Sequence, residues 1–287
     1  DRPSVNRKRC CDFFLVMDIR LPKRKKITYT FFTSSQGREK PGMKRIKFFK
    51  LCDSEVASVT ASPELLARDN QQYHRYARVA LVDPYSSEPV RASSLDVGET
   101  YLFHYPFVST PCFLIDLGKP VTSRSNLKTR DGDRYRWQGG AGSNYSVVAF
   151  SAICAHKLSH PAPSVSFINY RHGEVRFRNS FDEIEQRSGV IYCCSENSVY
   201  DPAHGGLVLG GPAPQPLAAI ELEYDAEQDS FYATATIGGE MFARYFSQFH
   251  DRLVLQHART DIDRAMTDTT KLMRLSEYTN NQVSCQA

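Results

Sequence analysis

Between residues 76 and 238 short segments rich in Val, Ile, Tyr and Phe follow one another, separated at close intervals by Pro, Gly, Asn and Asp. The segments are 77–83, 100–105, 111–117, 145–154, 165–171, 174–178, 189–193, 220–225 and 230–237. β-Branched and aromatic side chains suit a pleated, half-buried surface, and turn residues spaced this closely leave room for strands. The pattern therefore predicts an all-β fold, an antiparallel sandwich or barrel. The polar stretch 224–230 reads as a hairpin loop between its two flanking strands. Beyond Gly238-Gly239 the texture changes: Met241, Phe242, Tyr245, Phe246, Phe249, Leu253 and Val254 recur at helical spacing, which predicts a helix over 240–257 packed on the sheet. The polar residues 258–287 are expected to form a looser tail or a second helix.

The chain of 287 residues is 41% hydrophobic, enough for a buried core in one large or two small domains. No apolar run approaches the roughly 20 residues that span a bilayer, and the first residues lack the basic, apolar and small-residue order of a secretory leader. A cytoplasmic protein is expected. Residues 1–42 hold eleven Lys/Arg against four Asp/Glu and show no apolar periodicity, so they read as a disordered basic tail or as sequence upstream of a start at Met43. Their Lys23-Arg24-Lys25-Lys26 run could touch nucleic acid or an anionic surface, but a solvated tail is the better reading. The domain plan expected is a tail over 1–42, an N-terminal segment over 43–75, the β domain over 76–238 and a helical segment over 239–287.

Eight cysteines, at 10, 11, 52, 112, 154, 193, 194 and 285, lack the regular spacing of a secreted disulfide framework, which points to a reducing setting. In such a setting the adjacent Cys193-Cys194 reads as a ligand site or as two buried small hydrophobes rather than as a staple. Two stretches at strand-to-loop junctions carry metal-binding residue types. One is Cys154-Ala155-His156; the other is Cys193-Cys194-Ser195-Glu196-Asn197-Ser198-Val199-Tyr200-Asp201-Pro202. A rigid run, Gly210-Gly211-Pro212-Ala213-Pro214-Gln215-Pro216-Leu217, follows them. The bland reading is that these cysteines are buried at strand ends and that His156 is a hydrogen-bonded loop residue.

Taken together and in this order, the three stretches resemble the two cluster-binding tips and the proline loop of Rieske-type iron–sulfur proteins. The resemblance covers about residues 76–238 and implies a Rieske-like fold, with a small cluster-binding subdomain on the β scaffold. By it, a [2Fe–2S] cluster would take Cys154 as a thiolate ligand of one iron and His156 as an imidazole ligand of the other. Cys193 would be the second thiolate if Ser198 and Tyr200, five and seven residues later, fill the places that hydrogen-bond a bridging sulfide and a cysteine sulfur. Pro212 and Pro214 would belong to the loop lying over the cluster.

The departures from the family concern the fourth ligand and the clamp between the tips. With Cys193 as ligand, Glu196 stands at the place of the second histidine; with Cys194 as ligand, Asn197 does. A carboxylate is a harder, charged ligand that lowers the reduction potential, whereas a neutral amide is a poor ligand for ferric iron. His160, His172 and His204 are further candidates for the missing imidazole. The disulfide that ties the two tips in many family members is absent, Ser159 and Ser195 holding its places.

Only about 50 residues follow Gly238, with His250 and His257 as their histidines, so the catalytic domain of a ring-hydroxylating oxygenase does not fit. One zinc ion held by Cys154, His156, Cys193 and Cys194 would need two adjacent cysteines to reach a single tetrahedral centre. The glycines of 137–142 lack the strand and helix of a phosphate-binding turn, and no nucleophile elbow is present. The resemblance thus implies an electron carrier, or a subunit of a larger redox complex, working with a partner protein. The alternative is a cluster-free Rieske-fold module with a structural or interaction role.

Overall fold

The computed structural model describes residues 72–285. The expectations for 1–42, and for 43–75 as far as residue 71, lie outside the described residues. The strands are β1 (Tyr73–Val82), β2 (Thr100–His104), β3 (Pro111–Asp116), β4 (Arg124–Lys128), β5 (Arg134–Trp137), β6 (Val147–Ser151), β7 (Ile168–Arg171), β8 (Val175–Arg178), β9 (Ile184–Arg187), β10 (Val190–Cys193), β11 (Ser198–Asp201), β12 (Leu207–Gly210), β13 (Ala219–Asp225), β14 (Ser230–Ile237), β15 (Thr269–Lys271) and β16 (Met273–Arg274). Among the described residues two α-helices accompany them, α1 (Phe242–His257) and the single turn α2 (Leu275–Tyr278). The expected all-β class, with a helix near the C-terminal end, is what the chain adopts. No helix among the described residues is long and apolar enough to cross a membrane.

Eight strands form one sheet in the order β15-β1-β14-β13-β6-β3-β2-β16. Its two ends, β15 and β16, are separated in sequence by Leu272 alone, so the sheet is nearly closed on itself. Ala80 pairs with Thr269 in parallel, Met273 pairs with Leu102 antiparallel, and the Leu272 amide donates to the Val82 carbonyl at 2.8 Å. Strands β2, β3 and β6 of this sheet are buried on both faces. On β3, Cys112 and Leu114 join Phe103, Val147 and Ala233 in the barrel interior, while Phe113 and Ile115 face the other way and join Phe150, Trp137 and Leu275. Period-two alternation with apolar residues on both faces reads in sequence as an uninterrupted apolar run, which is how 112–115 reads.

The second cluster on the outer face also receives side chains from a separate sheet, β12-β11-β10-β7, and from the β4-β5 hairpin. Ile191 and Cys193 of β10 point into it, and Val190 and Tyr192 point away, into a smaller cluster beneath the β8-β9 hairpin. Helix α1 packs Phe242, Tyr245 and Leu253 against Ile153 and Leu158 of the loop after β6. Residues 258–285 are neither a loose tail nor a long second helix. They supply β15, β16 and α2, with Leu272 and Leu275 buried. These strands contribute mainly backbone pairing at open sheet ends, which leaves little trace in side-chain pattern.

Candidate metal centre

The loop after β6 is shaped by its own backbone. The Cys154 amide donates to the Ser159 carbonyl at 2.9 Å and the Leu158 amide to the Cys154 carbonyl at 3.0 Å, which folds 154–159 into a tight tip. The facing tip lies between β10 and β11, where Cys193 pairs with Ser198 and Asn197 turns the chain with a φ of 58°. The proline loop crosses beside it. A Cβ added at Gly211 would fall 2.2 Å from the Asn197 carbonyl oxygen, so this residue must be glycine for the two segments to lie together. Pro212 and Pro214 are exposed, while Gln215 anchors the run by accepting from the Arg130 amide and donating to the Gly239 carbonyl.

Cys154 and Cys193 are free, buried and adjacent at the meeting of these tips. One thiol ionises ahead of the other. Cys154 is lowered, first by its hydrogen bond with the Cys193 thiol and then by the Tyr200 hydroxyl and the His156 and Lys157 amides, against the opposing effect of burial. Cys193 is raised by that same bond and by burial. Tyr200 Oη lies 3.2 Å from Cys154 Sγ and accepts the Ala155 amide at 3.2 Å, which leaves its O–H to donate to the sulfur. The cysteine sulfur beside Tyr200 is thus that of Cys154.

His156 and Glu196 form a second pair. His156 Nδ1 is buried and has no hydrogen-bond partner; its nearest acidic oxygen, Glu196 Oε2, is 3.7 Å away, beyond hydrogen-bond range. The other carboxylate oxygen of Glu196 meets Lys157 Nζ at 3.2 Å. Ser198 Oγ is likewise buried without a partner. Such orphaned atoms are rare in folded proteins and call for an explanation.

Cys194 is not available as a ligand. It is disulfide-bonded to Cys285, with the two Cα atoms 5.7 Å apart, and this overturns the expectation that the adjacent cysteines form no staple. The backbone explains it: the Cys194 amide on the Phe167 carbonyl carries the pairing of β10 one residue past its end, and successive residues there point to opposite faces, so Cys193 enters the core while Cys194 leaves on the other side. The bond also runs against the reducing setting expected from cysteine spacing. With Cys194 engaged, the register through Asn197 loses its thiolate, and Asn197 is exposed on its turn.

The other histidines proposed as substitutes have different surroundings. His160 is buried against Tyr245 and Phe249 of α1, its Nδ1 on the Leu158 carbonyl at 2.9 Å. His172 lies over Gly98, and His204 holds Asp201 at 2.7 Å. Ser159 and Ser195, at the places of the family's clamp, join their hydroxyls at 2.6 Å. Sequence reasoning missed the Cys194–Cys285 bond and the Lys157–Glu196 pair; a signal for the second was Lys157 directly after His156.

No family model matches the chain. Among solved structures it is similar to the soluble domain of the Rieske protein II from Sulfolobus acidocaldarius. The two share 25% sequence identity at a TM-score of 0.39, over 57% of this chain and 82% of that one.

Proposed function

We propose that this chain transfers electrons through a [2Fe–2S] cluster held by Cys154 and Cys193 on one iron and by His156 and Glu196 on the other. The observation that carries the reading is the His156–Glu196 gap. Two ligands at about 2.1 Å from one tetrahedral ion stand about 3.4 Å apart, close to the separation found between an unpartnered ring nitrogen and a carboxylate oxygen. Among the described residues no three His, Cys, Asp or Glu side chains converge as a site for one metal ion. A cluster would therefore have to draw on the pairs Cys154–Cys193 and His156–Glu196 separately, one for each iron.

When bound, the group supplies a site for taking up and returning one electron. The chain does the rest. Tyr200 donates to the Cys154 sulfur and Ser198 offers a second buried hydroxyl; donors to sulfur raise the reduction potential, whereas the Glu196 carboxylate lowers it. The His156 side chain is 25% exposed, so an edge of the imidazole is open to a partner protein that brings or removes the electron. Lys157 neutralises one oxygen of Glu196 and leaves the other turned to His156.

Anaerobic preparation of the full chain, with iron and acid-labile sulfide assayed and the reduced protein examined by EPR, tests the reading. The expected result is two irons and two sulfides per chain. Glu196→Gln should lower both, Glu196→His should keep them and raise the potential, and Asn197→Ala should leave them unchanged. A folded, colourless, iron-free protein would instead support a second reading, a cluster-free structural or interaction module. One observation favours that alternative: the Cys154 thiol already has hydrogen-bond partners of its own.

A further inference from the structure

The C-terminal residues 279–285 lie along the edge of the small sheet, next to β7. The Ser166 amide donates to the Asn281 carbonyl at 2.8 Å, the Val283 amide to the Ser166 carbonyl at 2.9 Å and the Asn280 amide to the Pro163 carbonyl at 2.9 Å. The Val283 carbonyl in turn accepts from the side chains of Asn169, at 3.1 Å, and Arg171. Asn169 is fully buried, and Arg171 is desolvated enough to lower its pKa. Two residues beyond Val283, Cys285 bonds to Cys194, the neighbour of Cys193. The Cys194 amide is itself held on the Phe167 carbonyl at 2.7 Å.

We propose that residues 279–285 are a redox-operated strap, in which the Cys194–Cys285 disulfide holds the C-terminal segment on β7 and its reduction lets the segment lift from the tip sheet. Both half-cystines are partly exposed, so a thiolate can reach them. A dithiol reductant attacks one sulfur to give a mixed disulfide and expels the other as a thiolate. Its second thiol then closes its own disulfide, leaving two protonated thiols on the protein. The segment is short, and few buried apolar side chains hold it: residues 280, 281, 282 and 284 are exposed and Val283 is half-buried. The bond therefore supplies much of what keeps it in place. Lifting it strips the Val283 carbonyl from Asn169 and Arg171. Arg171 then loses that acceptor and Asn169 keeps only the Ser166 carbonyl, at 3.2 Å, which carries the loosening into β7 and so to β10, the strand that bears Cys193.

The strap does not depend on the cluster, and its test reads amides rather than electrons. Hydrogen exchange is followed in the full chain with and without dithiothreitol, and in Cys285→Ser without it. The expected result is a loss of protection of about tenfold or more at Ser166, Asn280 and Val283, with the β2-β3 amides unchanged. The proposal is overturned if protection at those three positions stays as it was, if the whole barrel loosens equally, or if a Cys285→Ser protein that folds fails to reproduce the reduced protein. Since the wild-type chain is compared in two redox states, the outcome stands even if the variant folds poorly.

Discussion

The hydroxyls of Ser159 and Ser195 meet at 2.6 Å, each from a different tip of the candidate metal centre. A neutral hydrogen bond on a partly exposed site contributes about 0.5–1.5 kcal/mol, well below the 2–4 kcal/mol typical of a disulfide. The double variant Ser159→Cys/Ser195→Cys is therefore expected to oxidise spontaneously in air and to melt at a higher temperature. Mass spectrometry under non-reducing conditions and thermal unfolding check it. Two persistent free thiols at these positions would show that the tips are not held in this geometry.

Tyr200→Phe removes the acceptor of the Ala155 amide and the donor to Cys154 at one stroke. The ring stays buried, so packing is kept, and the expected cost is about 1–3 kcal/mol from the stranded amide. Denaturant unfolding measures it. In cluster-loaded protein the same variant should have a lower reduction potential, because a donor to sulfur is lost.

Acidification should weaken the fold before most carboxylates are protonated. Burial lowers the His160 pKa to about 4 and the His104 pKa to about 3, the second with help from nearby His257. Unfolded histidine titrates near pH 6.5, so each side chain binds its proton more readily in the unfolded chain. The stability each neutral ring confers is present above about pH 6.5 and is lost as the pH falls towards the folded-state value, at up to about 1.4 kcal/mol per pH unit per residue. Melting temperatures between pH 7.5 and 5 should decline, and His160→Gln should make the slope shallower. An equal slope in that variant would remove His160 from the account.

Leu275→Ala tests whether the segment after α1 belongs to the core. Leu275 is fully buried with Phe113 and Trp137, so truncation should cost about 2–5 kcal/mol. A surface tail would lose almost nothing. Equilibrium unfolding of the variant decides it.

How far the sequence reveals this fold depends on how each strand earns its place. β2, β3, β6 and β14 bury apolar side chains and were legible. β4, β5 and β9 (Arg-Ser-Asn-Leu-Lys, Arg-Tyr-Arg-Trp, Ile-Glu-Gln-Arg) pair as hairpins with much of their surface in water, and β15 and β16 pair chiefly through backbone; composition marks none of them. The spacing of Ser198 and Tyr200 from Cys193 suggested a hydroxyl on a cysteine sulfur without saying which cysteine, and it is the fold that sets Tyr200 Oη 3.2 Å from Cys154 Sγ. The Cys194–Cys285 bond spans 91 residues and involves the outward member of an adjacent pair, so only the strand's pleat in three dimensions reveals it.

The near-closure of the large sheet bears on how a ribosome must make this protein. β1 finds its outer neighbour β15 only when Thr269 exists to pair with Ala80, 189 residues later (269 − 80). β2 waits 171 residues (273 − 102) for β16. Until β15 and β16 are made, both strands present unpaired backbone to their surroundings, the condition under which sheet edges recruit other chains. The nascent protein is therefore most vulnerable to aggregation just before β15 and β16 emerge.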